Sequence, residues 1–522
     1  MSRPTAAVDL HGVLRSAIAS HQAGRLAEAE PLYRAVLDAA PQQFDALHLL
    51  GVLHHQRGRS AEAAELIGAA LRERPDDAVA LTNRSAALNA LSRFDEAIAH
   101  CDRALAARPD HAEAHNNRAL ALRELGRVQE ALAGCERALR LKPGYADAYN
   151  NRGLVLQALR RAEAALGSYD TALQLDPQHL DAINNRGIAL FEQNRLAEAL
   201  ACFDRALAVR PSHAHAHWNR AQVLLLTGDF VRGWAEHEWR TASNPRLQRR
   251  FDRPLWRGDA PVAGKTVLLH AEQGLGDTLQ FCRYAPMVAA RGARVVLEVQ
   301  RPLIDLVRTL GRSMEVVARG DALPDFDFHC PLLSLPLAFG TDLASIPAGT
   351  PYLRAPASAT DWEARLGAKR PRIGLVWSGN PGHKRDRDRS IPLYALLPLL
   401  DLDATFVSLQ KDVRAADAAV LKQTPVIDVA DALTKFSETA AIVSALDLVI
   451  SVDTSVAHLS GALGKPTWLL LPQAPDWRWL TDRADSPWYP AARLFRQDGA
   501  RAWGPVVARV RAALEETIAR GA

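Results

Sequence analysis

The chain has 522 residues, too many for a single hydrophobic core, so two to four domains are expected. Its apolar fraction of 48% is that of a globular protein, and a formal net charge of +4 argues against a dedicated nucleic-acid binder. The five cysteines are odd in number and form no C-x-x-C pair, which argues against a disulfide framework and a zinc site.

The first residues, MSRPTAAVDLHGVLRSAIASHQ, lack the apolar stretch of a signal peptide. No apolar run approaches the ~18 residues of a membrane span. A cytoplasmic location is therefore expected.

Prolines at 41, 75, 109, 143, 177 and 211 then recur every 34 residues. Twelve residues before each stands an alanine, from Ala29 to Ala199, and five residues before each stands Val36 or an alanine. Gly51, Ser85, Ala119, Gly153 and Gly187 form a further column of small residues. Small residues at fixed offsets let paired helices approach closely, and each proline stops the second helix of a pair. A 34-residue helix-turn-helix unit of this kind resembles the tetratricopeptide repeat, TPR. Six units agree in phase, and a seventh begins near Ala214 and drifts after Gly228. Such units stack into a solenoid whose concave face binds partners.

Cys101 and Cys135 share a column with Tyr33, Ile67, Tyr169 and Phe203, which predicts buried packing. His213, His215 and His217 straddle a helix start and are not expected to bind metal together. Asn83, Asn117, Asn151, Asn185 and Asn219 also recur every 34 residues. Asn is a mediocre residue inside a helix. Its amide both donates and accepts, so this column reads either as a ladder for a peptide main chain or as bonds between neighbouring repeats. The arginine after each Asn, from Arg84 to Arg220, is expected in salt bridges between repeats.

From Thr241 the pattern breaks into a linker that is expected to pack, given Trp256. Strand candidates follow: TVLLHA, RVVLEV and DFDFHCPLL, then RIGLVW, TFVSLQ, VIDVA, LVISVD and TWLLL. Helical stretches between them predict two parallel-sheet units facing a cleft, with ligands beyond the carboxyl ends of the strands.

Three loops at those ends carry polar residues. In AEQGLGDTLQFCRY, Gly274 and Gly276 permit a tight turn, and Asp277 reads as a helix N-cap or as a general base. In WSGNPGHKRDRDRS, Ser378, Gly379 and Asn380 offer a turn with free backbone N–H groups, and Lys384, Arg385, Arg387 and Arg389 offer positive charge for a phosphate. In SVDTSVAHLSGALGKP, Asp453, Thr454 and Ser455 open a helix whose N-terminus suits an anion. His458 lies one turn on, either aimed at that ligand or packed. Gly464 is the predicted C-cap.

These segments, AEQGLGD, GLVWSGNP and DLVISVDTSVAHLSGALGKP, resemble the GT-B glycosyltransferases of family 9, the bacterial heptosyltransferases. A TPR array ahead of such a domain also resembles the TPR-containing protein O-glycosyltransferases, which modify Ser or Thr and carry an Asn ladder. The resemblance implies an N-terminal all-α TPR solenoid followed by an α/β GT-B domain of two Rossmann-like halves. The boundaries expected are 1–240 for the repeats, 241–264 and 351–370 for linkers, 265–350 and 371–500 for the two halves, and 501–522 for a last helix returning across the cleft. It implies Asp277 as the base. It implies a nucleotide-sugar donor at Asp453, Thr454 and His458, with Arg389 the nearest match to the family's basic residue; the residues themselves add Gly276, Ser378, Gly379, Asn380, Lys384 and Ser455 to the expected donor site. It also implies inversion at the anomeric carbon, no metal and no further cofactor, and a protein acceptor in the repeat groove. Ile391 replaces the aromatic residue of the family pattern and Ser455 its usual glycine, so the donor stays open. A degenerate, non-catalytic scaffold and an enzyme acting on a glycan or lipid-linked acceptor are the competing readings. Trp477, Trp479, Trp488 and Tyr489 are expected to seal the two halves together rather than to clamp a nucleotide.

Overall fold

A computed structural model describes residues 9–311, 313–357, 359–383 and 385–520. The chain divides into two compact units, Met1–Leu190 and Phe191–Ala522.

Helix pairs begin at Leu10, Phe44, Ala78, Ala112, Ala146, Leu180 and Ala214, in the expected 34-residue register. The second helix of the seventh pair is only eight residues long, Phe230–His237, which is where the sequence pattern drifts. The turn inside each pair needs one residue with positive φ. Gly24, Gly58, Gly126 and Gly228 fill it without strain, and Ser92, Arg160 and Asn194 adopt the same conformation. The repeats continue past the division between units, so Leu196–Val209, Ala214–Leu226 and Phe230–His237 belong to the second unit.

Packing within a pair is a matter of matched volumes. A Cβ on Gly153 would collide with the buried ring of Tyr169, and one on Gly51 would stand 2.5 Å from Ile67. Sixteen residues separate each pair of positions. Where the small residue is Ser85 or Ala119 instead, the partner shrinks to Cys101 or Cys135. All five cysteines are buried, and burial pushes the Cys101 thiol up to about 11, so it stays a packing group.

The second unit contains two all-parallel sheets. The first is built from β1 (Thr266–His270), β2 (Arg294–Val299), β3 (Glu315–Ala318) and β4 (Phe328–Pro331), in the order β3-β2-β1-β4. The second is built from β5 (Arg372–Val376), β6 (Thr405–Ser408), β7 (Ile427–Asp428), β8 (Leu448–Val452), β9 (Thr467–Leu471) and β10 (Ala492–Arg496). Its order, β7-β6-β5-β8-β9-β10, is that of a doubly wound sheet. The short edge strands β3 and β10 were not among the sequence-based candidates. The stretch before β1 packs as expected: Trp256 is fully buried and its backbone N–H donates to the carbonyl of His329.

Side chains alternate along the second sheet. Leu469 and Leu471 face a core shared with Leu269 and Leu297 of the first sheet, whereas Trp468 and Leu470 face the opposite layer. The last helix, Gly504–Ala519, lies in that opposite layer, with Val506, Val510 and Leu514 against Ile373, Leu375 and Ile450. It does not return across the cleft as expected, because its apolar stripe is used on the outer face of the second sheet. Among the described residues no helix is long and apolar enough to cross a membrane.

Gly153→Ala is expected to destabilise the repeats by about 1–3 kcal/mol, since the Tyr169 ring has nowhere to go. Gly153→Ala with Tyr169→Cys reproduces the Ala119–Cys135 pair and should recover part of that loss. Thermal unfolding of both variants checks this.

Candidate functional site

The three polar loops stand where the doubly wound topology predicts a site, after β1, β5 and β8. The loop after β1 leads into the helix Leu275–Phe281, whose N-cap is Gly274. Asp277 is the third residue of that helix rather than its cap. Its Oδ2 accepts from the Gly274 N–H at 2.8 Å, and its Oδ1 accepts from Arg478. Glu272, in the same loop, is paired with the fully buried Arg240 at 2.9 Å.

Gly276 touches the second sheet's machinery directly. A Cβ there would lie 2.8 Å from the His458 ring and 3.6 Å from the Cα of Ser455. The glycine thus lets the helix Leu275–Phe281 meet the helix Ser455–Ala462 at its N-terminal end. Thr454 is the N-cap of the latter, and its side chain makes no capping bond; its hydroxyl lies 3.2 Å from that of Ser451. Gly464 ends the helix at φ 71°, as predicted.

His458 is buried, with Nδ1 2.9 Å from the Tyr489 hydroxyl and its ring stacked on Trp479. Its Nε2 stands 3.8 Å from Asp453 Oδ1. Burial, reinforced by the charge of Arg478, pushes the imidazole down to about 3, so it is neutral near pH 7. Burial also pushes the Asp453 carboxyl up to about 6, helped by the neighbouring Asp476 and opposed by Arg389. Burial would raise Asp476 too, but Arg478 outweighs it and holds that carboxyl below its ordinary value.

The loop after β5 corrects one expectation. The N–H groups of Ser378 and Gly379 are not free: they donate to Gln410 Oε1 and Ser390 Oγ, both at 3.1 Å. Asn380 closes its own turn by accepting from the Gly382 N–H at 2.8 Å. Lys384 lies outside the described residues. Of the arginines, Arg389 reaches the β8 loop, donating to the Asp453 carbonyl at 2.8 Å while packing over Gly379. Arg385 donates to the Ala474 carbonyl, and Arg387 is exposed.

In the loop after β9 sequence reasoning took up the aromatic residues but missed Arg478. There Arg478 joins Asp277, Asp476 and Gln280, and its guanidinium lies 4.3 Å over Trp477. The available signal was a charged residue flanked by tryptophans in PDWRWL. The aromatic tail does seal the halves. Arg283, beside the first sheet, donates to the carbonyl of Trp488 and the hydroxyl of Tyr352, both at 2.8 Å.

The asparagine column turns inward. The amide of Asn83 meets His48 at 2.9 Å, Asn117 donates to the Thr82 carbonyl at 3.2 Å, and Asn151 and Asn185 donate to Asn116 and Asn150 at 3.0 Å. Each bond reaches the preceding repeat 35 residues back, as the second of the two sequence readings has it. Asn219 occupies the same position in the helix Ala214–Leu226. The acceptors Asn116 and Asn150 form a column of their own, legible as the doubled Asn in HNNR and YNNR but missed. The arginine column bridges repeats in part: Arg118, Arg186 and Arg220 pair with Asp102, Asp170 and Asp204 of the preceding repeat, whereas Arg84 and Arg152 meet His100 and Ser168 of their own.

Asn151→Ala should therefore cost about 1 kcal/mol of repeat stability by stranding the Asn116 carbonyl, measurable by denaturant unfolding. The folded His458 resists protonation between its ordinary value of 6.5 and about 3 while the unfolded chain accepts a proton. Its contribution to stability is thus present above pH 6.5 and lost as pH falls toward 3. Its NMR ring signals should show no titration between pH 8 and about 4.

The tetratricopeptide repeat family matches residues 20–83 and, in overlapping windows, 85–146, 135–180, 150–208 and 184–233. The chain is similar to Protein FlbA of Caulobacter vibrioides at 27% identity over 326 residues, covering 57% of this chain and 54% of FlbA. It spans about half the length of that curated relative. Among solved structures it is similar to a thermophilic TPR protein of Thermus thermophilus, with 26% identity, 35% of this chain, 100% of that one and a TM-score of 0.34. It is also similar to a tetratricopeptide repeat protein from Parabacteroides merdae, with 17% identity, 44% of this chain, 90% of that one and a TM-score of 0.37. The helix pairs that begin the chain are tetratricopeptide repeats, and they precede a region of parallel sheets.

Proposed function

We propose that the second unit is a GT-B glycosyltransferase that moves a sugar, with inversion, from a nucleotide-diphosphate donor to a hydroxyl acceptor on a protein held by the repeats. The observation that carries this reading is the meeting of Gly276, next to Asp277 on the helix after β1, with Ser455 and His458 on the helix that Thr454 caps after β8. An uncapped helix N-terminus and Arg389 beside it suit a diphosphate. Asp277, on the facing helix, suits the acceptor hydroxyl. The TPR array supports a protein partner. Because the Asn amides bond between repeats, acceptor binding is assigned to the groove as a whole and not to Asn83, Asn117, Asn151, Asn185 and Asn219 as a ladder.

A non-catalytic scaffold is the second reading, and one observation favours it: both oxygens of Asp277 are already engaged.

Calorimetry against UDP-, ADP-, GDP- and TDP-sugars tests the proposal. One nucleotide class should bind to the wild type, and His458→Ala should weaken it at least tenfold. A ligand anion further disfavours the Asp453 carboxylate, so binding should take up a proton and weaken as pH rises through about 6. Failure of every nucleotide sugar to bind leaves the scaffold reading.

A further inference from the structure

We propose that Arg478 is the cation that a bound diphosphate takes from Asp277, so that Asp277 becomes free to act as a base only once the donor is in place. This rests on the nucleotide-sugar reading of the same site.

Arg478 sits in the turn Trp477–Trp479, in the loop after β9, and only 7% of it is exposed. Its Nη1 donates to Asp476 Oδ1 at 2.9 Å, its Nε to Gln280 Oε1 at 2.5 Å, and its Nη2 to Asp277 Oδ1. One guanidinium thus serves two carboxylates, one from each half of the unit. Asp277 is left with its other oxygen on the Gly274 N–H. Both Asp277 oxygens are thus engaged, and neither is directed at an acceptor hydroxyl. As it stands, the residue best placed as base is blocked.

The surroundings of Arg478 point to what unblocks it. The Nε2 of Gln280 is fully buried and has no hydrogen-bond partner, although the same side chain holds Arg478 through its oxygen. The indole N–H of Trp479, which stacks on His458, is buried too and faces the Asp453 carboxyl without a well-formed bond. Buried donors short of acceptors beside an arginine call for a ligand rich in oxygen. Arg478 is also near enough to influence Asp453 and His458 on the helix that opens at Thr454. Phosphate oxygens match the fork of a guanidinium as well as a carboxylate does.

The exchange itself breaks no covalent bond. Once Arg478 turns to the diphosphate, the freed Asp277 oxygen takes the acceptor hydroxyl's proton. The acceptor oxygen bonds to the anomeric carbon, and the bond from that carbon to the phosphate oxygen breaks, its electron pair leaving with the nucleotide diphosphate.

Inorganic pyrophosphate binding to the full chain, followed by calorimetry, tests the exchange. Arg478→Met should weaken binding at least tenfold, and Arg478→Lys, which keeps the charge, should weaken it less. Asp277→Asn should tighten binding several-fold, because the anion no longer competes with Asp277 for Arg478. A purely structural tie between the halves predicts no tightening. Melting curves confirm that each variant is folded, and the lysine variant serves if the methionine variant is not. Unchanged or weaker binding in folded Asp277→Asn overturns the proposal. Binding that needs His458 but ignores Asp277 and Arg478 overturns it while sparing the nucleotide-sugar reading. A wild type that binds neither pyrophosphate nor any nucleotide sugar overturns both.

Discussion

Two helices from different sheets meet at a residue with no side chain. A methyl group on Gly276 would collide with the ring of His458, so contact between Leu275–Phe281 and Ser455–Ala462 depends on that glycine. The contact sets the positions of the polar groups around it. It brings Asp277 to Arg478, and it holds the β8 loop, with Asp453 and Thr454, beside the β1 loop. Gly461 repeats the device one turn further along, where a Cβ would run into the Tyr489 ring. Tyr489 in turn holds Nδ1 of His458. Gly276 on one helix and Gly461 on the other thus fix the spacing of the halves and the orientation of an imidazole.

Around this contact lie charges that are costly to bury. Asp277, Asp453, Asp476 and Arg478 share a confined volume, and the two carboxyls of Asp453 and Asp476 are driven in opposite directions. Removing ions from water is expensive unless each finds several partners. Arg240 is held by Glu272, Glu238 and Ser334 together, with its Nε buried and unpartnered. Near Arg478 the satisfaction is incomplete, with Gln280 left holding an unpartnered donor.

The repeats follow a simpler logic. Paired positions are matched by volume, Gly51 and Gly153 with Ile67 and Tyr169, Ser85 and Ala119 with Cys101 and Cys135. Their polar columns are likewise internal, since asparagine amides and the guanidiniums of Arg118, Arg186 and Arg220 link one repeat to the next.

Much of this was legible in the residues. The 34-residue period fixed the helix pairs, because a repeated contact needs a repeated sequence. Most strands were visible as apolar runs, and the β8 loop and its helix were read from SVDTSVAHLSGALGKP with their caps in place. Edge strands β3 and β10 escaped, because β3 has only four residues and two of the five in β10 are arginines. The direction of a side chain was the harder matter. An Asn in a helix looks the same whether it faces a groove or a neighbouring repeat, and only packing assigned it to the neighbour. The loop after β5 looked rich in free N–H groups, but Gln410, from beyond β6, and Ser390, at the end of the same loop, occupy them. Arg478 was the largest omission, since its partner Asp277 lies 201 residues away. Period, caps and apolar runs are local properties that a chain carries in its order of residues. Which carboxylate meets which arginine is decided only when separate sheets are brought face to face.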